Sequence, residues 1–276
     1  MQVTHIRIGF VTLLLLGLCQ SGNQLGTTPN IKDIVIGRCY NYITLVNPGV
    51  RYDCEDIWRH FEAVVLRQPS CNVTVDDYRT LFRLMTQTWP CGTGLFWSKT
   101  RSLMHSYAAV LPHLWTLEDT LVGYVFNNLV WCRRDQDSEF DFGSCPEWSS
   151  CSNHPVSSLW RQASQTFAEA ACGNITVLLN GSIADAFNRT SMFGSVELDS
   201  LNPQSVQYVN IHVVTSLTGP HIESCGRGSV VDLVHRLQTR GFRWTCTDND
   251  QTLILLQCIQ NQASCSLTNL KSPFLL

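Results

Sequence analysis

Cysteine content is the feature that most constrains this chain. It has 13 cysteines among 276 residues, scattered along the sequence without a C-x-x-C pair or a paired Cys/His spacing. A cytosolic chain this rich in cysteine normally carries such metal-binding motifs. The scattered distribution is instead typical of a disulfide framework that forms in an oxidising compartment.

The N-terminal sequence also indicates export to an oxidising compartment. His5 and Arg7 precede an apolar run over residues 8–19, which a polar stretch follows. About twelve apolar residues fit the core of a signal peptide, whereas a membrane span needs roughly 20. Small residues allow cleavage after Cys19, whose loss would leave twelve of the 13 cysteines, an even number. We expect residues 1–19 to be a signal peptide, with a short membrane anchor as the alternative, and the protein to be secreted or held on the extracellular face of the membrane.

Four N-x-S/T sequons support the same destination. In a secreted chain such sites accept N-linked glycans and therefore favour surface loops. The predicted glycosylation sites are Asn72, Asn174, Asn180 and Asn188.

Composition excludes several classes of protein. Hydrophobic residues make up 44% of the chain, which is too apolar for a disordered protein. The formal net charge of −3 leaves no basic excess to neutralise phosphates, so we expect no nucleic-acid partner. The eight histidines are dispersed, and we expect no metal site. No G-x-S-x-G motif and no Gly-rich phosphate loop is present, which argues against a Ser-His-Asp hydrolase and against a nucleotide held by such a loop.

The hydrophobic pattern changes along the chain. Apolar stripes at helical spacing predict helices over residues 55–67, 75–89, 117–131 and 155–172. Compact apolar or β-branched runs predict strands over residues 175–180, 206–214, 242–247 and 253–259, with a helix over 229–240. Strand–helix–strand order favours parallel pairing. We therefore predict an α+β or α/β fold in which a mostly helical N-terminal half packs on a C-terminal half with a small parallel sheet flanked by helices.

Seven short motifs follow one another along the chain. They are W-T-L-E-D-T-L-x-G-Y (115–124), W-C (131–132), S-C-P-E-W (144–148), C-S-N-H-P-V-S-S-L-W (151–160), F-A-E-A-A-C (167–172), V-L-L-N-G-S (177–182) and F-G-S-V-E (193–197). In order and spacing they resemble the motifs of the ADP-ribosyl cyclase / cyclic ADP-ribose hydrolase family of ectoenzymes. The resemblance spans roughly residues 35–270, and T-L-E-D-T and F-G-S-V-E are its most specific parts.

The resemblance implies an enzyme that cleaves NAD between nicotinamide and ribose, with NAD as substrate and no cofactor. Glu197 would stabilise the positively charged ribose, and Glu118 would contact the nicotinamide amide. NADP and cyclic ADP-ribose are further substrates that the family implies. The residues implied to bind substrate are Trp97, Trp160, Ser164, Phe193, Ser98, Lys99 and Asn127.

Some of these positions depart from the family pattern. Lys99 stands where the family has Arg, and an ammonium group lacks the bidentate fork of a guanidinium. Asn127 and Asn128 stand where some members have an acid that helps to bind the nicotinamide amide, and Met192 stands where others have Thr or an aromatic residue. Because these positions lie near the step that separates cyclisation from hydrolysis, the ratio of the two products stays open.

The resemblance also implies how the chain is organised. Residues 30–90 and 116–171 would form a helical domain, and residues 91–115 and 172–276 an α/β domain, with the active site in the cleft between them. The sequence leaves a monomer and a homodimer both open. The disulfides implied are Cys39–Cys54, Cys71–Cys151, Cys91–Cys172, Cys132–Cys145, Cys225–Cys246 and Cys258–Cys265.

A protein of a different class is the alternative. A secreted receptor or adhesion module could keep this fold and lose its activity. Replacement of a catalytic acid or a stacking tryptophan is the simplest way to lose activity. Both acids and both tryptophans are present, so the enzyme is the preferred interpretation.

Overall fold

A computed structural model describes residues 26–262 and Cys265. Helices predominate in the first half of the described chain, and strands and helices alternate in the second half. The predicted signal peptide lies outside the described residues. The helices are α1 (Ile31–Asn41), α2 (Cys54–Arg67), α3 (Arg79–Leu84), α4 (Arg101–Val110), α5 (Leu121–Phe126), α6 (Pro155–Glu169), α7 (Leu198–Ser200), α8 (Ser229–Thr239) and α9 (Gln251–Gln260). The strands are β1 (Leu95–Ser98), β2 (Gly173–Asn180), β3 (Val206–Val214) and β4 (Trp244–Asp248).

The helices of the first half pack around an aromatic core. Helices α1, α2, α3, α5 and α6 contribute to it, and the rings of Phe61, Phe126 and Trp131 meet there with centroids 4.8–5.6 Å apart. Helix α2 shows how the sequence produces this packing. The Asp53 side chain caps its first turn, and its buried residues recur every three or four positions on one face.

The four strands form one parallel sheet in the order β1-β2-β3-β4. Successive side chains point to opposite faces of the sheet. On one face Val177 and Ile211 pack with residues of α6 and α8, and on the other Leu178 and Val214 pack with residues of α4 and α9. Helices on both faces explain why β2 contains the apolar run 177–179, whose side chains are buried on both sides of the sheet.

The predicted fold class is confirmed, and the strands predicted over 175–180, 206–214 and 242–247 correspond to β2, β3 and β4. The strand predicted over 253–259 is wrong, because this segment forms α9. The Asp250 side chain accepts hydrogen bonds from two backbone amides of the first turn, and leucine and glutamine favour a helix once it has begun.

Helix lengths in the first half also differ from the prediction. The helix predicted over 75–89 ends at Leu84. The helix predicted over 117–131 is divided into a 3-10 turn, Leu117–Asp119, and the short α5. Thr120 separates them, because its backbone is extended and its side chain caps α5. Strand β1 and helices α1 and α4 were not predicted.

The twelve described cysteines form the six disulfides that the family resemblance implies. The Cys91–Cys172 bond is the one that bears most on the sheet. It joins the segments that lead into β1 and β2, and the Gly92 amide donates a hydrogen bond of 2.7 Å to the Cys172 carbonyl. Residues more than 80 positions apart are thereby brought into one sheet, although the division into two domains stays a prediction.

The sequons do not all lie in loops. Asn174 and Asn180 lie near the start and at the end of β2, which corrects the expectation of four surface loops. Asn72 and Asn174 are exposed, whereas Asn180 and Asn188 are half-buried. Glycosylation at each stays a prediction. Among the described residues, no helix combines the length and apolar character needed to cross a bilayer.

We expect Gly123→Ala to destabilise the protein. A Cβ at Gly123 would lie 1.9 Å from the Leu117 carbonyl oxygen and 2.7 Å from the Glu118 Cα, so the 3-10 turn would have to move. Crowding of this kind costs about 1–3 kcal/mol, which outweighs the gain of about 1 kcal/mol from the better helix former. Urea unfolding checks this, with Gly37→Ala in α1 as the control, since a Cβ there meets no atom within 4 Å. Equal stability of the two variants would contradict the prediction.

Candidate active site

Five parts of the chain line a cavity of about 550 Å³ at the C-terminal end of β1. They are the end of β1 with the residues that follow it, the 3-10 turn before α5 with the loop after α5, a 3-10 turn over Trp148–Ser150, one face of α6, and the segment before α7. In parallel sheets, ligands commonly bind beyond the C-terminal ends of the strands. The lining residues are Trp97, Ser98, Lys99, Arg101, Leu117, Glu118, Asn127, Asn128, Leu129, Val130, Trp148, Val156, Trp160, Ser164, Ser191, Met192, Phe193 and Glu197.

Glu197 is the most deeply placed acid of the cavity. It ends a π-helical turn, Phe193–Glu197, and is only 8% exposed. The Ser164 hydroxyl of α6 donates a hydrogen bond of 2.8 Å to Glu197 Oε1. Burial raises the pKa of Glu197 to about 7; the Ser164 hydrogen bond opposes this rise and the nearby Glu118 adds to it. Near neutral pH the carboxyl is therefore poised between its two protonation states.

Glu118 is held by a well-ordered turn. The side chain of Asp119 accepts hydrogen bonds from the Thr116 amide and hydroxyl at 2.8 and 2.7 Å, and the bond from the amide is part of a capping box at the start of this turn. The Tyr42 hydroxyl donates to the Asp119 carbonyl at 2.9 Å. Glu118 Oε2 is buried, and no donor among the described residues reaches it. A buried carboxylate oxygen without a partner is an open acceptor for a ligand N–H group.

The indoles of Trp97, Trp148 and Trp160 and the phenyl ring of Phe193 line the cavity, and Trp148 is the most exposed of the four. Trp160 lies on α6 one turn before Ser164, and Trp97 lies on β1. Both are half-buried, so each presents part of its ring to the cavity. Phe193 is buried, and its ring centroid lies 6.4 Å from that of Phe96 and 6.1 Å from that of Phe187. The ring of Phe193 therefore anchors the segment that leads to Glu197.

Lys99 and Arg101 are the cations of the lining set. Lys99 has a left-handed backbone with φ of 57°, and its Nζ donates a hydrogen bond of 3.1 Å to the Asp185 carbonyl. Arg101 Nη2 donates to the side-chain oxygens of Asn127 at 3.1 Å and Asn128 at 3.3 Å. Since both amides are neutral, they leave the positive charge of Arg101 uncompensated.

The structure brings all the predicted site residues into this one cavity. The two acids, the two tryptophans, and Ser98, Lys99, Asn127, Ser164 and Phe193 line it. Their individual roles stay predictions. Sequence reasoning missed Arg101, Trp148 and Ser191, and for Arg101 the available signal was a second basic residue two positions after Lys99. Within the described ranges, no group of three or more His, Cys, Asp or Glu residues could hold a metal ion.

Comparison with known proteins gives a consistent set of relatives. A sequence model described as ADP-ribosyl cyclase matches residues 28–267. ADP-ribosyl cyclase/cyclic ADP-ribose hydrolase 1 of Rattus norvegicus is 39% identical over 245 residues, which are 87% of this chain and 81% of the relative. ADP-ribosyl cyclase/cyclic ADP-ribose hydrolase 2 of Homo sapiens is 34% identical over 238 residues, 86% of this chain and 74% of the relative.

Solved structures are also similar to this chain, in both sequence and fold. Porcine CD38 complexed with a covalent intermediate, ribo-F-ribose-5'-phosphate, is 37% identical with a TM-score of 0.79, over 82% of this chain and 99% of that one. Aplysia cyclase complexed with substrate NGD and product cGDPR is 31% identical with a TM-score of 0.80, over 86% and 96% of the two chains. Since the family match and these relatives extend over most of its length, this chain belongs to the ADP-ribosyl cyclase family.

Proposed function

We propose that this protein is an NAD glycohydrolase and ADP-ribosyl cyclase. It cleaves the nicotinamide–ribose bond of NAD to give nicotinamide together with cyclic ADP-ribose, ADP-ribose or both. The observation that carries the proposal is the buried Glu197, hydrogen-bonded to Ser164, in a cavity that it shares with Glu118 and two indoles. The relatives named above are cyclases and cyclic ADP-ribose hydrolases, which supports the same activity here.

The first step follows from the charge of the substrate. The nicotinamide ring of NAD is a flat cation, and an indole face attracts such a group by about 0.5–2 kcal/mol, most strongly when water is excluded. Nicotinamide leaves as a neutral molecule, so this attraction weakens on departure. Trp97 and Trp160 line the cavity in which the ring would lie.

Departure of nicotinamide leaves a positively charged, oxocarbenium-like ribose. A buried carboxylate stabilises that charge more strongly than an exposed one, because little water screens it. Glu197 in its ionised form supplies this charge. Nicotinamide needs no proton to leave, and breaking the bond needs no redox step, so the reaction uses NAD as substrate without a resident cofactor.

Glu118 and the two cations orient the rest of the substrate. The unpartnered Glu118 Oε2 is an acceptor for the carboxamide N–H of nicotinamide. We propose that Ser98, Lys99 and Arg101, which line the cavity, contact the phosphates, and that Asn127 lies near the nicotinamide amide. Within the described part of the chain, Arg101 hydrogen-bonds only to two neutral amides, so further N–H donors remain for a ligand, and a guanidinium binds phosphate oxygens in pairs.

The second step decides the product. If the aromatic walls exclude water, an adenine nitrogen attacks the anomeric carbon and closes cyclic ADP-ribose. If water enters, ADP-ribose forms. Met192 and Asn127 both line the cavity and are the residues that we expect to influence this choice. NADP and cyclic ADP-ribose are the further substrates that we propose.

We also propose where the protein acts. We place the protein outside the cell, either secreted or on the extracellular face of the membrane, because its six disulfides are stable in an oxidising compartment. Glycans at the four sequons and a homodimer are compatible with that location. The alternative function is an inactive receptor or adhesion module on the same fold, which an activity assay separates from the enzyme.

Glu197→Gln should abolish most of the activity while the fold is kept. The amide has nearly the same shape but lacks the charge that stabilises the ribose cation, so kcat should fall about 10²–10⁴-fold. Fluorescence of etheno-NAD measures cleavage, and chromatography of the products from NAD gives the ratio of cyclic to linear product. Glu169→Gln, on the exposed end of α6, is the matched control and should keep full activity. Full turnover by Glu197→Gln would refute the assignment.

The pH dependence of kcat/KM for NAD should report the ionisation of Glu197. Below its pKa of about 7 the carboxyl is protonated, so kcat/KM should fall about tenfold per pH unit. Ser164→Ala removes the hydrogen bond that lowers this pKa and should move the acidic limb to higher pH. Glu118→Gln removes the charge that raises it and should move the limb to lower pH. Initial rates between about pH 5 and about pH 9 test this, and shifts of the same sign in both variants would contradict it.

Arg101→Ala should weaken substrate binding more than chemistry. Loss of a guanidinium that contacts phosphate should raise the KM for NAD about tenfold and change kcat less than about twofold. Arg79→Ala is the control, since this exposed arginine lies outside the cavity and should leave both constants unchanged. A fall in kcat at constant KM would show that Arg101 does not hold the bound substrate.

A further inference from the structure

A second buried acid lies outside the cavity. Glu223, in the connection between β3 and α8, is 6% exposed. Its Oε2 accepts hydrogen bonds from the Ser229 amide at 2.7 Å, the Ser229 hydroxyl at 2.9 Å and the Val230 amide at 3.3 Å. Its Oε1 accepts a bond of 3.0 Å from the Asp185 amide. One carboxylate therefore joins the start of α8 to the segment that follows β2.

The backbone is arranged to admit this carboxylate. Gly228 has φ of +73°, and a Cβ there would lie 2.4 Å from Glu223 Oε2, so any other residue would push the acid away. The amides of Ile222 and Glu223 both donate to the Gly181 carbonyl at 3.0 Å. The amide groups at the start of α8 favour a negative charge at this point. These contacts fix Glu223 against the end of β2.

The contacts continue from Glu223 to the cavity. The amide of Asp185 is bound by Glu223, and its carbonyl accepts the hydrogen bond from Lys99 Nζ at 3.1 Å. The Phe187 amide donates to the Ser229 hydroxyl at 3.0 Å, and the Phe187 ring packs against Phe193. Two lining residues, Lys99 and Phe193, are thus touched by a segment that Glu223 holds.

We propose that Glu223 is a positioning residue that places the Lys99 ammonium at the part of the cavity where the phosphates of the substrate would bind. This inference rests on the proposed function, since it assigns Lys99 a contact with the substrate. Glu223 acts through the 182–188 segment and touches no substrate itself. A mere helix cap for α8 would stabilise the fold without any effect on how Lys99 meets NAD.

Glu223→Gln tests the proposal. The amide keeps the size of the side chain, but its NH₂ group faces backbone donors, so it cannot accept from both Asp185 and Ser229. Release of the segment should raise the KM for NAD roughly three- to tenfold, the range expected for one lost hydrogen bond, with kcat within about twofold. The acidic limb of the pH profile, which reports Glu197, should not move. Faster hydrogen exchange at the Asp185 and Phe187 amides should accompany the change.

A double-mutant cycle separates positioning from general stabilisation. Lys99→Ala should itself raise KM by at least as much as Glu223→Gln, and adding Glu223→Gln to Lys99→Ala should change KM by less than about 1.5-fold. The same factor in both backgrounds, or an unchanged KM in the single variant, would overturn the proposal. Asp250→Ala, which removes a carboxylate cap from α9, is the control for lost helix capping and should lower stability with KM unchanged.

A variant that does not fold and a wild-type protein that has no activity lead to different conclusions. If Glu223→Gln does not fold, Glu223→Asp enters the same cycle with the same criteria, because it keeps the charge at α8 but is one methylene too short to reach both partners. If the wild-type protein does not turn over NAD, the proposed function fails, and this role of Lys99 fails with it. Turnover by the wild type with additive variants overturns only the inference about Glu223.

Discussion

The hydrogen bond from Ser164 to Glu197 is the contact on which the site depends. It joins α6, which belongs to the aromatic core of the first half, to a turn that packs beside the sheet. A carboxyl group that is buried this deeply must be hydrogen-bonded or protonated. Ser164 donates to Oε1, and no hydrogen bond within the described residues engages Oε2, the oxygen that we propose is available for the reaction. The fold therefore supplies a carboxylate that is oriented by the protein yet incompletely satisfied.

Each wall of the cavity comes from a different part of the chain. Strand β1 supplies Trp97 and a capped turn supplies Glu118. Helix α6 supplies Trp160, and the turn before α7 supplies Glu197. The parallel sheet makes this possible, because it sets β1 beside β2, which follows about 80 residues later. Rigid elements meeting at one point hold the groups more firmly than one long loop could. The polar networks around Asp119 and Glu223 then fix the short connections between those elements.

The sequence predicts those elements whose signal lies in neighbouring residues, and it does not predict those whose surroundings come from distant parts of the chain. Helix α6 and strand β3 were predicted because their apolar pattern and flanking residues carry the signal locally. Strand β1 was missed because it has only four residues, and α9 was misread because an apolar run of this length suits either element. The main site residues were found through family motifs. Arg101 and Glu223 were not, since their surroundings are made by residues distant in the sequence. The spacing of Arg101 from Lys99 was a local signal, but two basic residues at this spacing do not by themselves mark a site.

The raised pKa of Glu197 also bears on the energetics of folding. An ordinary glutamate titrates near 4.5, and here the folded protein holds the proton up to about pH 7. The native state therefore binds more protons than the unfolded chain between these values, and the free energy of unfolding falls as pH rises through the interval. The difference corresponds to roughly 3 kcal/mol, so the ionised form, which we propose performs the chemistry, is the form that opposes folding. Six cross-links, each typically worth about 2–4 kcal/mol, offset that opposition and let an active protein persist at neutral pH.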